Sequence, residues 1–418
     1  MIDFVHQNPY HAEALFDTAE FFRLRGDYKQ ANQLFEKVLF VFEDSLSYEF
    51  KIFEENDAVL AVDEYSIIFF KALNRFIDVL NKKGCYKSAF EFNKFLVKLN
   101  PYEDPAGGIL TLDYHAISIK NYKFVENFAT KFGSEFYYNS KFSVFYLPNY
   151  IYSTALAKFL DMMEKNEKLS VSDIADFTKT DFEKATKPSH DHSKEGCNVI
   201  LLTAILLYPG IIKNLIEVND FHKQTVSLGS KFTNWQKKSF KDILAHSLFT
   251  AKHEPLYSCL GLQNNGDIEG MNKVLEIYVE RSKIMWKNNQ AMMWVKAAIG
   301  FILNQFEELN FQYDDFVEKL VTGEFCYTLP FELSRYKNLR KQNFSDVTER
   351  LDLANIPDQM GGGQPQPNAN FNPINTNQGL LGMFISSLLP WNHLPANTNP
   401  QQQQQGGFDD EINPDDFD

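Results

Sequence analysis

The sequence predicts an all-α protein, in which helix pairs stack into an α-solenoid and a disordered C-terminal tail follows. Apolar residues recur at spacings of three and four almost throughout residues 1–358, which is the period of helices with one buried face. No stretch of alternating apolar and polar residues in this part is bounded by turns that would indicate β-hairpins. With 418 residues, 44% of them hydrophobic, the chain is long enough to bury a large core without metals or disulfides.

The first helix pair is predicted on the two sides of Gly26. Small or large apolar residues lie eleven, seven and four positions before this glycine and two, five, nine and twelve positions after it: Leu15, Ala19, Phe22, Tyr28, Ala31, Phe35 and Val38. Residues at these offsets let two antiparallel helices nest, with Ala19 and Ala31 at their closest approach. The spacing is typical of the tetratricopeptide repeat.

Two further copies of this pattern follow. The same offsets counted from Gly84 give Leu73, Ile77, Leu80, Tyr86, Ala89, Asn93 and Leu96. A third copy is centred on Lys120, with no glycine at the turn; its residues in register are Ile109, Ala116, Tyr122, Val125, Ala129 and Phe132. We therefore predict tetratricopeptide-like repeats over residues 1–140, whose stacked pairs leave a concave surface for a partner.

The repeat period is lost after about residue 140, but helical patterns continue. The predicted helices are Asn149 to Lys165, Cys197 to Tyr208, Gly210 to Val218, Gly270 to Trp286, Asn289 to Leu309 and Asp314 to Thr322. Residues 141–358 are accordingly predicted to continue the α-helical solenoid.

Residues 359–418 differ in composition from the rest of the chain. They contain 18 Asn and Gln, 14 Gly and Pro and no Lys or Arg, and they end in an acidic tip. This composition predicts a disordered, Asn/Gln-rich acidic tail.

One apolar segment interrupts the tail, and it predicts a short amphipathic helix at about residues 379–390. At spacings of three and four its apolar residues form one stripe, which ends at Pro390: Leu380, Leu381, Phe384, Ile385, Leu388 and Leu389. Such a stripe packs back on the chain's own body, docks in a partner's groove as a helix, or remains an unstructured sticky stretch.

Charge, cysteine content and hydropathy indicate the compartment. Four widely separated cysteines without a Cys-x-x-Cys pair indicate a reducing compartment, the cytoplasm or the nucleus. The net charge of -14 disfavours a protein that mainly neutralises phosphates along a DNA duplex. No secretory signal begins the sequence, and the longest apolar run, Val199 to Tyr208, is far shorter than the roughly 20 residues of a membrane span, so we expect a soluble protein without membrane contact.

Sequence motifs for catalysis are not found. The sequence has no Gly-x-x-x-x-Gly-Lys-Ser/Thr loop, no Gly-x-Ser-x-Gly elbow and no His-Glu-x-x-His pair. The nearest approach to a metal site is His190 and His192 with Asp191 and Cys197, and it lies in a polar loop without a second ligand pair. We therefore predict a solvated loop there, and a protein that is not an enzyme and holds no cofactor or metal.

Two basic clusters are candidate contacts for ribosomal or other RNA. In the first, Lys231, Lys237, Lys238 and Lys241 alternate with aromatic residues; the second comprises Arg335, Lys337, Arg340 and Lys341. The alternative is that both clusters are exposed helix faces whose charges keep the chain soluble.

An ordered series of short motifs resembles one known family. The motifs are Asn8-Pro9-Tyr10-His11, Gly84-Cys85 with Ala89, Asp104-Pro105, Leu147-Pro148-Asn149, Tyr208-Pro209-Gly210, Tyr278-Val-x-Arg281-Ser282-x-x-x-Trp286-Lys287 and Phe384-x-x-Ser387-Leu-Leu-Pro390. In this order they resemble the transcription factor 25 family, whose fungal members are called ribosome quality control complex subunit one. The resemblance runs from about residue 4 to about residue 392.

The resemblance implies a non-enzymatic adaptor of ribosome-associated quality control. It would act on the 60S ribosomal subunit with the listerin E3 ubiquitin ligase, favour proteasome-directed ubiquitin chains on the stalled nascent chain, and precede the AAA+ segregase that extracts that chain. The candidate partner-binding residues are Leu380, Leu381, Phe384, Leu388, Leu389, Arg281, Lys237 and Lys238. For Arg281 the alternative is that it satisfies the carbonyls of a neighbouring helix, and for Trp286 that it belongs to the core.

Two other functions stay open. The family's older name implies a nuclear transcriptional regulator. Such a regulator would act through protein partners, because the sequence has no basic recognition helix or zinc module for direct sequence-specific DNA binding. A generic solenoid cochaperone is disfavoured, because Phe16 and Glu20 occupy places where a carboxylate clamp needs Lys and Asn.

Overall fold

The computed structural model is all-helical in the part of the chain that it describes. The described residues are 2–47, 59–136, 142–166, 170–187, 190–221, 235, 238–250, 257–262, 264–310, 312–322 and 328–345. The predicted all-α class is confirmed for these residues, which pair with one another only through helices, turns and one isolated bridge between Phe142 and Thr328.

Seventeen α-helices follow one another in the described residues. They are α1 Ile2–Gln7, α2 Ala12–Arg25, α3 Tyr28–Ser45, α4 Ser66–Lys82, α5 Tyr86–Leu99, α6 Ile109–Ser118, α7 Tyr122–Phe136, α8 Pro148–Lys165, α9 Val171–Ile174, α10 Lys179–Ala185, α11 Cys197–Leu207, α12 Pro209–Val218, α13 Phe240–Leu244, α14 Ser247–Thr250, α15 Asn265–Trp286, α16 Asn289–Glu308 and α17 Tyr313–Thr322.

The first three helix pairs turn where the repeat pattern predicts. Gly26 and Gly84 separate α2 from α3 and α4 from α5, and their positive φ angles of 84° and 78° suit glycine. Lys120 separates α6 from α7 with a φ of 61°, which costs a residue with a Cβ about 1 kcal/mol. The nesting alanines Ala19 and Ala31 are fully buried. The third pair therefore forms without the glycine that marks the other two.

Helices predicted after residue 140 are also present. The predicted helix over Asn149 to Lys165 is observed as α8, and the segment from Cys197 to Val218 forms α11 and α12, which meet at Pro209. Helix α15 starts at Asn265, five residues before the predicted start, because the side chain of Asn264 accepts a hydrogen bond from the backbone of Asp267 and caps the helix.

The core of the part of the chain that follows residue 140 is formed around α8, α11, α15 and α16. Ten of the eleven residues of α11 are buried, and the rings of Phe159 and Trp294 stack at 4.5 Å between α8 and α16. Within the described ranges, no single helix is long and apolar enough to cross a membrane. Taken together, α11 and α12 reach that length and apolar composition, but the two helices are bent by 92° where they meet.

Residues 328–345 return from α17 to the first half of the chain, and we refer to them as the return segment. Its 3₁₀ turn Leu333–Tyr336 packs on α15, where the backbone carbonyl of Leu333 lies so close to Gly270 that no Cβ would fit. The side chain of Arg75 on α4 donates a hydrogen bond to Asn343 at 2.8 Å. The return segment thus joins the second helix pair to α15.

The chain divides into two units, Met1–Ile374 and Asn375–Asp418. The second unit lies outside the described residues, and so do the predicted disordered tail over 359–418 and its amphipathic helix.

Candidate functional site

The family-like motif residues on α15 lie in the interior of the fold, in what we call the polar centre. It contains two groups of hydrogen-bonded polar side chains on α6, α8 and α15. Asp113, Asn149, Ser153 and Tyr278 form the first group, and His115 and Arg281 form the second. All of them are buried. Because polar groups in a core are stable only when they are hydrogen-bonded, their relative positions fix how these three helices pack.

Arg281, in the second group of the polar centre, is only 2% exposed. Its Nη2 lies 3.1 Å from Nε2 of His115, its Nη1 lies 3.5 Å from Oδ1 of Asp78 on α4, and its guanidinium covers the ring of Tyr114 at 4.2 Å. Burial and the neighbouring positive charge of Arg281 hold the pKa of His115 well below its usual value, so this histidine is neutral. Arg281 thus has partners within its own chain, and these are side chains of α4 and α6 rather than the helix carbonyls that the sequence suggested.

Asp113 on α6 belongs to the group of the polar centre that includes Asn149, Ser153 and Tyr278. Its carboxylate accepts hydrogen bonds from the Ser153 hydroxyl and the Asn149 amide on α8. Burial raises the pKa of Asp113 to about 6, although these hydrogen bonds oppose the shift. Tyr278 continues the chain of contacts, since its hydroxyl lies 3.4 Å from that of Ser153 and accepts a hydrogen bond from the Trp286 indole at 3.0 Å. Trp286 is fully buried, so the core alternative holds for this residue.

A second buried carboxylate, Asp104, ties the return segment to the loop before α6. It accepts hydrogen bonds from the backbone amides of Gly108 and Ile109 and from the hydroxyl of Tyr336. Burial raises the pKa of Asp104 to about 6, and the nearby charge of Arg335 opposes the shift. Arg335 itself donates to the carbonyl of Tyr102, so one residue of the second predicted basic cluster contributes to an internal contact.

The buried carboxyl groups of Asp104 and Asp113 are suited to a structural role rather than to catalysis. The two raised pKa values would suit general acid or base catalysis, but both carboxyl groups are enclosed and accept hydrogen bonds from this chain's own donors. A reacting group would have to replace those donors. The polar centre is therefore suited to holding α6, α8 and α15 in one arrangement, and through them the surfaces that those helices carry.

The histidines of the candidate metal site each have protein partners. Nε2 of His190 lies 2.8 Å from Glu195, while Nδ1 and Nε2 of His192 lie 2.9 Å from the Tyr146 hydroxyl and 3.0 Å from the Lys184 carbonyl. Burial lowers the pKa of His192 to about 4 and raises that of the Cys197 thiol to about 11. No three His, Cys, Asp or Glu side chains in the described ranges are grouped to hold a metal ion.

Of the first basic cluster, the structure describes only part. Nζ of Lys238 lies 3.3 Å from the centre of the Trp235 ring, a cation–π contact, and the Trp235 indole donates a hydrogen bond to Glu307 at the end of α16. Lys237 lies outside the described residues, as do the predicted tail residues Leu380, Leu381, Phe384, Leu388 and Leu389. Their partner-binding roles stay predictions.

Sequence reasoning missed Asp113 and the internal role of Asp104. Asp113 interrupts the otherwise apolar start of α6, and a lone acid among buried positions is the signal that could have found it. Its partners Asn149 and Ser153 are 36 and 40 residues away in the sequence. Only the packed structure brings them together.

Comparisons with known proteins give one family and several distant relatives. The family model described as transcriptional repressor TCF25 matches residues 1–362. The ribosome quality control complex subunit TCF25 of Dictyostelium discoideum is 23% identical over 305 residues, which cover 73% of this chain and 37% of the relative. The protein of the same name from Homo sapiens is 20% identical over 299 residues, 71% of this chain and 36% of the relative.

A third relative has a different name. The probable transcription factor claV of Ampulloclitocybe clavipes is 24% identical over 300 residues, 70% of this chain and 32% of the relative. The chain thus spans about a third of the length of each of these three relatives. No solved structure matches the chain.

Proposed function

Because the chain belongs to the transcriptional repressor TCF25 family, we propose that it is a non-enzymatic adaptor of ribosome-associated quality control. In this proposal it acts with a listerin-type E3 ubiquitin ligase on stalled nascent chains that remain on the 60S ribosomal subunit. Its role is to promote proteasome-directed ubiquitination ahead of an AAA+ segregase, and its place of action is the cytoplasm.

The names of the relatives carry this proposal. Two relatives that align with more than two thirds of this chain are named ribosome quality control complex subunits. The buried polar centre agrees with an adaptor, because it stabilises helix packing and offers no accessible nucleophile or base. An adaptor of this kind accelerates a reaction by holding the ligase and its acceptor near each other, which needs rigid surfaces only.

The proposed architecture is a tetratricopeptide-like α-solenoid over residues 1–140 that continues through residues 141–358. Support comes from the glycine turns at Gly26 and Gly84 and from the alanines buried at the predicted nesting positions. In such an array each pair contacts mainly its neighbours, so that extended surfaces are available to large partners. The contacts of α15 and the return segment with α4 and α6 depart from this pattern, because they join pairs that are not neighbours.

The proposed contacts with partners lie on two parts of the chain. The apolar tail stripe with Phe384 and Leu388 is suited to a groove on the ligase, because helix-in-groove binding uses apolar residues at these spacings. Lys237 and Lys238 are suited to ribosomal RNA on the 60S subunit. For Arg281, which is buried, an influence on partners would be exerted through the packing of α15.

The test is an affinity purification of the tagged full chain from cells in which ribosomes have been stalled. Mass spectrometry of the eluate should recover large-subunit proteins, the ligase and ubiquitin. The same purification from cells without stalling is the control and should recover fewer of them. Recovery of chromatin regulators without large-subunit proteins would contradict the proposal.

The second candidate function is a nuclear transcriptional regulator that works through protein partners. The family description and the name of the claV relative favour it. The same purification discriminates between the two functions, since this one requires chromatin regulators in the eluate and no dependence on ribosome stalling.

A further inference from the structure

An apolar groove of about 280 Å³ lies on the surface of the second and third helix pairs. One wall is the aromatic stripe of α7, in which Phe124, Phe128 and Phe132 follow one another at spacings of four. The other wall is α5 with Lys94 and Lys98, and the buried side chain of Leu112 on α6 lines the groove as well. The groove is just below the roughly 300–1,000 Å³ of most small-molecule pockets, which suits one or two large side chains of a peptide.

The middle phenylalanine of this wall, Phe128, is packed among other aromatic rings. Phe128 stacks on Phe124 at 5.7 Å and on Phe132 at 4.5 Å, and Tyr150 from α8 stacks on it as well at 5.3 Å. Nucleic-acid bases bind aromatic side chains through ring faces. Because Phe128 already stacks with three rings, this part of the wall is better suited to the apolar side chains of a protein than to stacked bases.

Charge at the rim indicates what must flank those apolar side chains. Lys94 forms an ion pair with Glu91 at 2.7 Å and also lies 4.9 Å from the centre of the Phe90 ring. The side chain of Lys98, one turn later on α5, makes no ion pair or hydrogen bond with any other described residue. A half-exposed cation beside an apolar groove attracts a carboxylate. The exposed ring of Tyr102 stands at the same end of the groove and can cover an apolar side chain next to that carboxylate.

We propose that this groove binds a short peptide segment of a partner protein, in which one or two large apolar side chains are flanked by Asp or Glu. The apolar side chains enter between α5 and α7, and an acidic residue pairs with Lys98. The residues that line this groove are not those of the predicted tail stripe, and the proposal does not depend on the quality-control role.

The experiment pans a phage-displayed library of random dodecapeptides on the purified full chain. The selected peptide is then synthesised with a fluorescent label, and its dissociation constant is measured by anisotropy. We compare Lys98→Glu with Lys87→Glu, an exposed lysine near the start of the same helix and outside the groove. A labelled oligouridine of 20 nucleotides is the second probe.

The proposal requires that the library yield peptides with large apolar residues next to Asp or Glu. K98E should then weaken their binding about tenfold, because an attraction becomes a repulsion, while K87E leaves it unchanged. Replacing the acidic residue of the peptide by Lys should restore binding to K98E. Failure to enrich such peptides, equal affinity for K98E and the original chain, or K98E-sensitive binding of oligouridine alone would each overturn the proposal.

Discussion

Asp113 shows at the scale of one residue how the fold uses a buried charge. The carboxyl group lies among apolar side chains of α6 and yet receives hydrogen bonds from two side chains of α8. Burial disfavours its ionised form, whereas the hydrogen bonds favour it. Because the pKa of Asp113 is raised, the effect of burial exceeds that of the hydrogen bonds. At neutral pH the residue therefore lowers the stability of the fold, while its hydrogen bonds favour one arrangement of α6 and α8.

The cost gives a prediction about pH. Since the pKa of Asp113 is raised from 3.8 to about 6 in the folded chain, its protonation stabilises the fold below pH 4, and this contribution is lost as the pH rises through 6. The stability of Asp113→Asn relative to the original chain, taken as the difference between their free energies of unfolding, should therefore rise by about 2 kcal/mol between pH 4 and pH 7.

Urea denaturation at pH 4, 5.5 and 7 measures this difference. The substitution also alters the hydrogen bonds with Ser153 and Asn149, but that effect shifts all three values alike, so the slope with pH is the observable. Asp176→Asn, at an exposed position, controls for the loss of a carboxylate at the surface. A difference that stays flat or falls with pH would contradict the assignment.

Arg281 and Asp113 also show what could be predicted from the sequence at this scale. The helical pattern placed Arg281, Ser282 and Trp286 on one helix, which is correct for α15. Which groups face Arg281 depends on contacts with His115 and Asp78, 166 and 203 positions earlier in the chain. Periodicity describes a helix and its buried face, and it contains no information on which distant helix packs there.

At the scale of elements, helix α15 and the return segment depend on glycine. Gly266 and Gly270 lie four residues apart on one face of α15. The backbone of Leu333 and Ser334 packs against Gly270, and the side chain of Ser334 lies near Gly266. Asp267 of the same face accepts a hydrogen bond from the Ser334 amide at 3.0 Å. Because Gly270 has no side chain, the backbones of α15 and of the return segment can come into contact.

We therefore predict that Gly270→Ala is destabilising. The added methyl group would overlap the carbonyl of Leu333, so the return segment has to move, at a cost of about 3 kcal/mol. Thermal unfolding followed by circular dichroism should show a melting temperature lower by roughly 5 °C or more. Gly210→Ala is the matched control, because Gly210 is also helical and its added methyl group would contact nothing. Its melting temperature should be unchanged or slightly higher, and equal melting of the two variants would contradict this packing.

The elements themselves were largely predictable, and the return segment was not. Strong apolar periodicity predicted α8, α11, α12 and α16 to within two residues at each end. Residues 328–345 have no such period, because they contact the fold through 3₁₀ turns and single side chains such as Tyr336 and Phe344. A segment stabilised by tertiary contacts alone has no local signal in its sequence.

On the scale of the whole molecule, the polar centre and the return segment connect the two halves of the helical part. Arg281 reaches from α15 to Asp78 on α4, and Asp104 holds Tyr336 of the return segment. The helix pairs at the front are therefore fixed to α15 by buried contacts at two places. Surfaces on both halves keep a defined spacing, which an adaptor between large partners requires.

The tail stripe gives a prediction about partner capture. Phe384→Asp with Leu388→Asp should reduce the recovery of large-subunit proteins and ligase in the purification from stalled cells, because charged residues cannot enter an apolar groove. The melting temperature of the helical part should not change. Ser386→Asp with Asn392→Asp adds the same charge beside the stripe and should preserve recovery. A loss of many degrees in the first variant would instead assign the stripe to the chain's own core.

The most direct test of the proposed adaptor role is sedimentation of the tagged chain through sucrose gradients of lysate, at rising salt, before and after ribosome stalling. We predict that stalling moves the chain into the 60S fractions together with ubiquitinated nascent chains, and that this association withstands added salt. A chain that remains at the top of the gradient under both conditions, or that follows chromatin only, would contradict the adaptor role.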